Sequence, residues 1–461
     1  MKPHLHFMGI GGVSMSGLAR WFKEDGYQVS GCDQRDGAVL TELRLAGIAA
    51  HTGHHPEHLR GVDQLISSMA IPDDHPEMAA ARRQGIPTRK RIELLGDIFE
   101  LRQAIAVTGT HGKSTTSGMI AALALAVADD PSIQLGASLP AIGGNMRYGR
   151  GPQLIAEVDE SDPDFAKLAS TIAILTNLED DHIAGDYPER RNYHATLADL
   201  EQATRSFARR AQAVLYCADW PLLTQLLGDL EHTSSYGFSP DATYRIHGLQ
   251  LEAHGSRFYL HTPTGKYRVE LTIPGRHNVQ NAAAALAAAA LAGYPLERCL
   301  EVLARFSGVG RRWQLWGEIE NALIIDDYAH HPTEVAATLQ TAKHTGRRVR
   351  AVLQPHRWIR TARHWPALAD SVAQADEVLV LDIYSAGEQA IPGISVDLII
   401  ERLKASGRQV SHHSHASATA YLAATLQPND LIITLGAGDV WRVAAELVQS
   451  NKGRSNDASR R

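Results

Sequence analysis

Cysteine is nearly missing from this chain of 461 residues: Cys32, Cys217 and Cys299 stand far apart and are odd in number. Such a set builds no disulfide framework and matches no zinc-finger spacing, which points to a reducing compartment. Long apolar runs are also missing. The longest, Met119–Ala128 and Ala282–Ala292, fall well short of the roughly 20 residues that cross a bilayer, and their alanine content reads as buried helix. The opening Met1-Lys2-Pro3-His4-Leu5-His6-Phe7 carries no export-signal core or small-residue cleavage site, so a cytoplasmic protein with no membrane partner is expected. Positive charge is not in excess either. With 45 basic and 51 acidic residues the net charge is −6, which excludes a bulk basic surface, and no nucleic-acid partner is expected. A charged fraction of 21% and a hydrophobic fraction of 44% exclude a wholly disordered or collagen-like chain.

What is present is an alternation of apolar strand, glycine turn and helix, the pattern of parallel sheets covered by helices. His4–Met8 reads as a strand, followed by Gly9-Ile10-Gly11-Gly12 and a helix from about Ser14 to Asp25; Gln28–Cys32 and Leu65–Ser68 are further strands. A second unit opens with the strand Gln103–Val107 and continues with Leu154–Val158 and Ile172–Asn177. From Ala242 to Ile273 apolar and polar residues alternate, as in Arg257-Phe258-Tyr259-Leu260-His261, which suggests antiparallel strands. The helix Asn278–Ala292 follows, and a third unit repeats the alternation with strands Ala322–Asp326, Val349–Gln354, Glu377–Ile383 and Leu431–Leu435. The boundaries expected are 1–102, 103–312 and 313–449, with a polar, frayed tail at 450–461. The histidines His54, His55 and His58, and His412, His413 and His415, have no matching acid or cysteine spacing and read as surface residues.

The strongest chemical signal is Gly109-Thr110-His111-Gly112-Lys113-Ser114-Thr115 between a strand and a helix. Backbone N–H groups of such a loop converge on phosphate oxygens, the helix N-terminus adds positive potential, a lysine neutralises the outer phosphates and a serine hydroxyl can hold Mg²⁺. The loop is shorter than the common phosphate loop, with Val107 where a glycine usually stands. Carboxylates for the metal follow an apolar strand in Glu157-Val158-Asp159-Glu160-Ser161-Asp162, and the next strand ends in Asn177-Leu178-Glu179-Asp180-Asp181-His182. Glu157 and His182 are therefore candidate ligands. Asn278 and Asn281 share a helix face and could pair with an adenine edge, although Asn278 also reads as a plain helix cap. Gly310-Arg311-Arg312, Asp326-Asp327-Tyr328-Ala329-His330-His331 and Gln354-Pro355-His356-Arg357-Trp358-Ile359-Arg360 put arginines where α/β proteins gather ligand groups. Gly9–Gly17, with Asp33 closing the second strand, is an incomplete dinucleotide fingerprint, better read as a site for a nucleotide diphosphate; Gly436-Ala437-Gly438 reads as a structural turn.

Taken together these motifs resemble the Mur ligase family, ATP-dependent amide-bond-forming enzymes of bacterial cell-wall synthesis. GIGGVSMSGLA at Gly9–Ala19, GTHGKST at Gly109–Thr115, AEVDESD at Ala156–Asp162, NLEDDH at Asn177–His182, PGRHNVQNAAAA at Pro274–Ala285, GRR at Gly310–Arg312, DDYAHHPTEV at Asp326–Val335 and QPHRWIRT at Gln354–Thr361 carry the resemblance. It implies an α/β fold of three domains: Rossmann-like at the N-terminus, a central P-loop ATPase domain with a mixed sheet, and Rossmann-like at the C-terminus. It implies ligation of L-alanine to the carboxylate of UDP-N-acetylmuramic acid through an acyl phosphate, with ATP and Mg²⁺, by a monomer or weak homodimer. Gly11, Gly12, Ser14, Met15 and Ser16, with Asp33 and Ser68, should meet the UDP-sugar, and His111, Asp159, Glu160 and Ser161 should be further substrate contacts. Gly109, Thr110, Gly112, Lys113, Ser114 and Thr115 should hold ATP phosphates. His277, Asn278 and Asn281 should meet adenine, and Arg312 and Asp327 should complete the nucleotide site. Ser114, Glu157 and His182 should ligate metal. Tyr328, His330, Arg357 and Arg360 should place L-alanine and the reacting carboxylate, His330 assisting amine deprotonation. The chain departs from the family at Met69, beside Ser68, and, where some relatives carry a carbamylated lysine as a metal bridge, it has no clear lysine shortly after His182, the nearby basic residues being Arg190 and Arg191. Three other readings are kept open: a ligase recycling whole peptides onto UDP-muramic acid, an NAD-dependent oxidoreductase built on Gly9–Gly12 and Asp33, and a non-catalytic nucleotide switch.

Overall fold

A computed structural model describes residues 2–68, 71–181, 183 and 194–458, with only the helical backbone from 452 onward. Met69, His182, Arg190 and Arg191, named above, lie outside the described residues. The chain divides into two units, Met1–Ile246 with Leu260–Tyr267 and Gln280–Leu303, and His247–Tyr259 with Arg268–Val279 and Ala304–Arg461.

Three α/β sheets carry the fold. The first contains β1 (His4–Met8), β2 (Gln28–Asp33), β3 (Ala49–Thr52), β4 (Gln64–Ser67) and β5 (Thr88–Lys90) in the order β3-β2-β1-β4-β5, all parallel. Strand order reverses between β1 and β4. That is the place where open parallel sheets leave a crevice at their carboxyl ends, and the glycine turn after β1 lies there.

The second sheet is built from β6 (Gln103–Thr108), β7 (Ser132–Leu139), β8 (Gly144–Arg147), β9 (Gln153–Glu157), β10 (Ile172–Leu175), β11 (Ala213–Cys217), β12 (Thr233–Gly237), β13 (Tyr244–Glu252), β14 (Gly255–Thr262) and β15 (Gly265–Leu271). Its order is β15-β14-β13-β12-β11-β10-β6-β9-β7-β8. β6 pairs in parallel with both β9 and β10. These three are continuous apolar runs because both faces are covered, as parallel strands require; Ala104–Val107, Leu154–Ala156 and Ile172–Leu175 are buried. The alternating stretch forms β13 to β15, joined by loops too short for a crossover and therefore antiparallel. A mixed sheet results, as the sequence pattern predicts.

The third sheet contains β16 (Gln314–Ile319), β17 (Ala322–Asp327), β18 (Arg348–Leu353), β19 (Glu377–Val380), β20 (Gln409–His412) and β21 (Asp430–Leu435) in the order β16-β17-β21-β18-β19-β20. Only β16 is antiparallel to its neighbour. The last helix, Trp441–Ala458, runs on through residues that their polarity marks as a frayed tail. Two surface assignments are also corrected. His54 and His58 are turned inward, their side chains 13% and 15% exposed, and both lie against Glu77, which is fully buried.

One fully buried charge sits in the strand β18. Arg350 is fully buried and donates to Glu377 at 2.7 Å and to Asp430 at 3.2 Å, both carboxylates being buried as well. The Tyr421 hydroxyl donates to the other Glu377 oxygen at 2.7 Å. Removing the guanidinium strands two carboxylates in a low-dielectric interior. Arg350→Ala is expected to destabilise the fold by about 3–5 kcal/mol, read as a lowered denaturation midpoint; a loss below about 1 kcal/mol would show that Arg348, 3.1 Å from Glu377 and 3.7 Å from Asp430, balances the pair alone.

Candidate active site

The phosphate loop follows from local backbone demands. Gly109 (φ +125°) and Gly112 (φ +82°) take conformations that side chains rarely adopt. A Cβ at Gly109 would lie 2.4 Å from Thr176 Oγ1, and one at Gly112 would lie 2.7 Å from Asn281 Oδ1. Gly112 starts the helix Lys113–Val127, and no side chain caps it. The first N–H groups of that helix are left for an anion. Thr110 and His111 are tied to the end of β10. The Glu179 N–H donates to Thr110 Oγ1 at 2.8 Å, the His111 N–H donates to Asn177 Oδ1 at 2.7 Å, and His111 Nε2 lies 3.2 Å from Glu179.

Lys113 turns back over the loop. Its Nζ donates to the Gly109 carbonyl at 2.5 Å and the Thr110 carbonyl at 3.1 Å, and it lies 2.8 Å from a Glu160 carboxylate oxygen. Glu160 is 1% exposed. Burial pushes its carboxyl up to about 7 in spite of Lys113. Burial also works against the Lys113 ammonium, but Glu160, Asp159 and Glu157 hold it above its ordinary range. Ser114 Oγ donates to Glu157 at 2.9 Å, and the other Glu157 oxygen accepts from the Gly136 N–H at 2.7 Å. Gly136 is required there, because a Cβ would meet Glu157 at 2.4 Å. A serine hydroxyl beside a carboxylate is the oxygen set that Mg²⁺ takes, and the uncapped helix start suits a polyphosphate. The residues present therefore fit ATP with a hard divalent cation. Thr115 is buried; Asp159 accepts from the Ser161 N–H at 3.1 Å, and Ser161 is buried. In the helix Arg276–Leu291, Asn281 Oδ1 accepts from Thr116 at 3.2 Å.

At the first sheet's crevice, Asp33 clips the glycine turn. It accepts from the Gly11 N–H at 2.9 Å and from the Arg35 N–H at 3.2 Å. Gly12 is exposed at the start of the helix Val13–Glu24, and Ser14 is half-buried. Met15 and Ser16 are turned into the core, with Ser16 Oγ donating to the Val13 carbonyl at 3.0 Å. Ser68 lies beside this turn: a Cβ at Gly9 would stand 3.1 Å from the Ser68 Cβ.

In the second unit, Arg312 lies 3.2 Å from Glu334. The same glutamate accepts from the His330 N–H at 3.1 Å. Tyr328 lies between Arg311 and Arg312, their guanidinium carbons 5.0 and 5.1 Å from its ring centre. Arg311 is structural: it donates to Asp326 at 3.0 Å and to the Gly436 and Gly438 carbonyls at 2.7 and 2.9 Å. The Gly436–Gly438 turn is therefore a docking point for an arginine. Asp327 accepts from the Trp313 and Ala329 N–H groups, both at 2.8 Å, and burial pushes its carboxyl up to about 6 against the pull of Arg312. Burial, helped by Arg312, pushes the His277 imidazole down to about 4, so it is neutral near pH 7. Asn278 is buried and donates to the Pro274 carbonyl at 2.7 Å. His330 Nδ1 lies 2.9 Å from the Tyr328 carbonyl; a carbonyl only accepts, so Nδ1 carries the proton and Nε2 is the basic nitrogen. Arg360 is 7% exposed and lies 3.1 Å from His356 Nδ1, while Arg357 is partly exposed, 3.8 Å from Glu388. Arg357 has φ +68° and ψ 142°, a region held almost only by glycine; its N–H donates to the Tyr384 carbonyl at 2.8 Å.

Sequence reasoning singles out most of these residues but misses the partners that hold them: Gly136 behind Glu157, Glu179 behind His111, and Glu334 behind Arg312 and His330. Glu179 and Glu334 stand inside quoted motifs; nothing in the sequence marks Gly136.

Three family models match the chain: "Mur ligase family, catalytic domain" over residues 4–103, "Mur ligase middle domain" over 107–289 and "Mur ligase, glutamate ligase domain" over 311–438. The chain is similar to the UDP-N-acetylmuramate–L-alanine ligase of Deinococcus radiodurans, with 43% identity covering 96% of this chain and 93% of that one. It is 38% identical to the ligase of the same name from Pelotomaculum thermopropionicum, covering 98% of each. Among solved structures it resembles UDP-N-acetylmuramate-alanine ligase from Thermotoga maritima, with a TM-score of 0.83 and 28% identity over 98% of this chain and 100% of the other. A murein peptide ligase from Psychrobacter arcticus shares the fold at a TM-score of 0.70 and 22% identity, over 97% of this chain and 98% of that one.

The Glu160 proton gives a stability test. It is held up to about pH 7 in the folded chain but only to the ordinary carboxylate range in the unfolded one. Stability from this group is present at low pH and lost as pH rises through about 7. Between about pH 5.5 and about pH 8 the wild type is expected to lose on the order of 1–2 kcal/mol relative to Glu160→Gln, measured by urea unfolding. Parallel pH profiles for the two proteins would refute the assignment.

Proposed function

Since the chain belongs to the Mur ligase family, we infer that it joins L-alanine to the carboxylate of UDP-N-acetylmuramic acid at the expense of ATP, in peptidoglycan precursor synthesis. The observation that carries the chemistry is the meeting of Lys113, Ser114 and Glu157 at the carboxyl ends of β6 and β9. A carboxylate is a poor electrophile and its oxygen a poor leaving group. The γ-phosphoryl of ATP passes to that carboxylate oxygen and ADP leaves; the neutral amine of L-alanine then attacks the acyl carbon, and phosphate departs with the C–O bond electrons. In this reading the loop N–H groups and Lys113 bind the phosphates and stabilise their charge. Ser114 and Glu157 would hold Mg²⁺, which neutralises phosphate charge when bound. His277, Asn278, Asn281, Arg312 and Asp327 serve the nucleotide. Gly11, Gly12, Ser14 and Ser68 serve the UDP-sugar, with Met15, Ser16 and Asp33 shaping the turn, and His111, Asp159, Glu160 and Ser161 are further substrate contacts. Tyr328, Arg357 and Arg360 place L-alanine and the reacting carboxylate, and His330 Nε2 takes the amine proton. The three sheets correspond to domains at 1–102, 103–312 and 313–449, in a cytoplasmic monomer or weak homodimer.

Two rival readings lose ground on particular observations. A nicotinamide enzyme leaves the phosphate loop, with Lys113 and with Ser114 donating to Glu157, unexplained. A peptide-recycling ligase shares the fold, but the relatives at 36–43% identity are named for L-alanine.

A phosphate-release assay with UDP-N-acetylmuramic acid tests the acceptor. Release is expected only when UDP-N-acetylmuramic acid, ATP and L-alanine are all present, and faster with L-alanine than with a tripeptide; equal or greater rates with the tripeptide would overturn the acceptor assignment. Lys113→Ala is expected to lower turnover by about 10³-fold or more, with a far-ultraviolet spectrum like the wild type. Full turnover by that variant would remove the role given to the lysine.

A further inference from the structure

The first sheet carries a second cluster of chemically active side chains, away from the motifs used above. His6 on β1, Cys32 on β2, His58 in the 3-10 turn Pro56–Leu59 and Glu77 in the helix Pro76–Arg83 bring one ligand atom each to within 4.8 Å of all the others. His6, Cys32 and Glu77 are fully buried. Glu77 Oε1 lies 3.5 Å from His6 Nε2 and 3.4 Å from His58 Nδ1; its Oε2 lies 3.3 Å from Cys32 Sγ and 3.4 Å from His54 Nδ1. Among the described residues, His6 Nε2, His58 Nδ1 and Glu77 Oε1 have no hydrogen-bond partner. Three unsatisfied polar atoms pointing at one another in a buried place are costly.

The proton positions can be followed inward from the surface. His4 Nδ1 lies 2.9 Å from the Gly61 carbonyl, so that nitrogen carries a proton and, in the neutral ring, His4 Nε2 is an acceptor. Ser30 Oγ lies 2.8 Å from His4 Nε2 and 2.8 Å from His6 Nδ1. Its single proton goes to His4, so Ser30 accepts from His6 Nδ1–H. The neutral His6 ring then turns a bare lone pair at Nε2 toward the Glu77 carboxylate. Such a relay orients metal-bound histidines in general: one nitrogen is fixed by a hydrogen bond so that the other faces the ion.

We propose that His6, Cys32, His58 and Glu77 form a structural site for a soft-to-borderline divalent cation of the zinc class. A tetrahedral ion with bonds of about 2.0–2.3 Å has ligand-to-ligand edges of about 3.3–3.7 Å, and His6 Nε2 and His58 Nδ1 stand 3.5 and 3.4 Å from one Glu77 oxygen, Oε1. The donor set of thiolate, two imidazoles and one carboxylate selects zinc or cobalt over Mg²⁺. Charge balances as well. On binding, Cys32 gives its thiol proton to the buffer, and the thiolate and carboxylate cancel the two charges of the cation, leaving a neutral buried group. Access runs past His58, the partly exposed member of the four, and its partly exposed neighbour His54. The ion would tie β1, β2, the Pro56–Leu59 turn and the Pro76–Arg83 helix together, one residue before Asp33, which clips the glycine turn.

The test uses untagged full-length protein stripped with a chelator and titrated with Co²⁺. Wild type is expected to bind one equivalent and to develop a thiolate-to-cobalt charge-transfer band with the strong visible bands of tetrahedral cobalt. Cys32→Ser should lose the charge-transfer band, Cys299→Ser should keep it, and His58→Gln, which alters a partly exposed ligand, should bind Co²⁺ at least about tenfold more weakly. Zn²⁺ should displace the cobalt bands and raise the melting temperature of wild type but not of Cys32→Ser, whose folding is judged by its far-ultraviolet spectrum. No thiolate band in wild type at saturating Co²⁺, or an unchanged band in a folded Cys32→Ser, would overturn the site. Mg²⁺ bound at Ser114 and Glu157 has no thiolate within reach, so failure here leaves the ligase reading standing.

Discussion

A lysine ammonium held at the start of a helix is the constraint from which the first unit follows. Lys113 is the first residue of its helix, where the backbone already presents positive potential. Placing a cation there is unfavourable unless anions surround it. The protein supplies them from the loop after β9: Glu160 at 2.8 Å, with Asp159 and Glu157 contributing through space. That arrangement requires β9 beside β6, which the sheet order provides. It also requires Gly109 and Gly112 to turn the chain without side chains in the way. The frustration is the useful part. On the proposed reading a polyphosphate would satisfy the uncapped N–H groups and take the lysine, while Glu160, whose carboxyl burial raises to about 7, would let go at little cost.

The second unit handles its arginines in the opposite manner, by fixing them. Arg311, Trp313 and Arg357 all sit at positive φ. Conformations of this kind cost about 1–3 kcal/mol each and persist only when neighbours impose them. Arg311 is imposed by Asp326 and the Gly436–Gly438 carbonyls, and the Arg357 backbone by the Tyr384 carbonyl. Tyr328, between the two guanidinium groups, keeps Arg312 in place beside Glu334. Arg311, Arg312 and the Arg357 backbone are therefore held by the fold itself.

Legibility in the sequence follows how local the physics is. The glycines of the phosphate loop answer to backbone angles within a few residues, so GTHGKS can be read directly. Glu157 is legible because it ends an apolar strand. Arg350 in Val349-Arg350-Ala351-Val352 hints at a buried charge, but its partners Glu377 and Asp430 lie 27 and 80 residues away. Gly136 has no signature of its own; its need for a bare Cα comes from Glu157, 21 residues on. His54 and His58 are read as surface residues because their partners, Cys32 and Glu77, stand on other elements. Three dispersed cysteines exclude a local zinc spacing, and they do not exclude a site that the fold assembles. The length of the last helix is hidden for a different reason: polarity alone does not end a helix whose first turns are packed, as those of Trp441–Ala458 are through Val443, Ala444 and Leu447.

Buried charge is balanced in three ways in this molecule, and the comparison isolates the third. Arg350 satisfies two carboxylates by direct donation, with Thr425 and Tyr421 completing the set. The Lys113 and Glu160 pair is balanced by contact and by a raised carboxyl, and so remains exchangeable. Glu77 has neither remedy. No arginine or lysine is paired with it among the described residues; it is fully buried, and the groups around it are imidazoles and a thiol. A hydrogen bond from Cys32 is a weak donor's, and one imidazole must face it with a lone pair. Arg350 and Lys113 meet their carboxylates with a positive charge, whereas Glu77 meets only imidazoles and a thiol, and a cation of two charges at the common centre of these four side chains would complete the set.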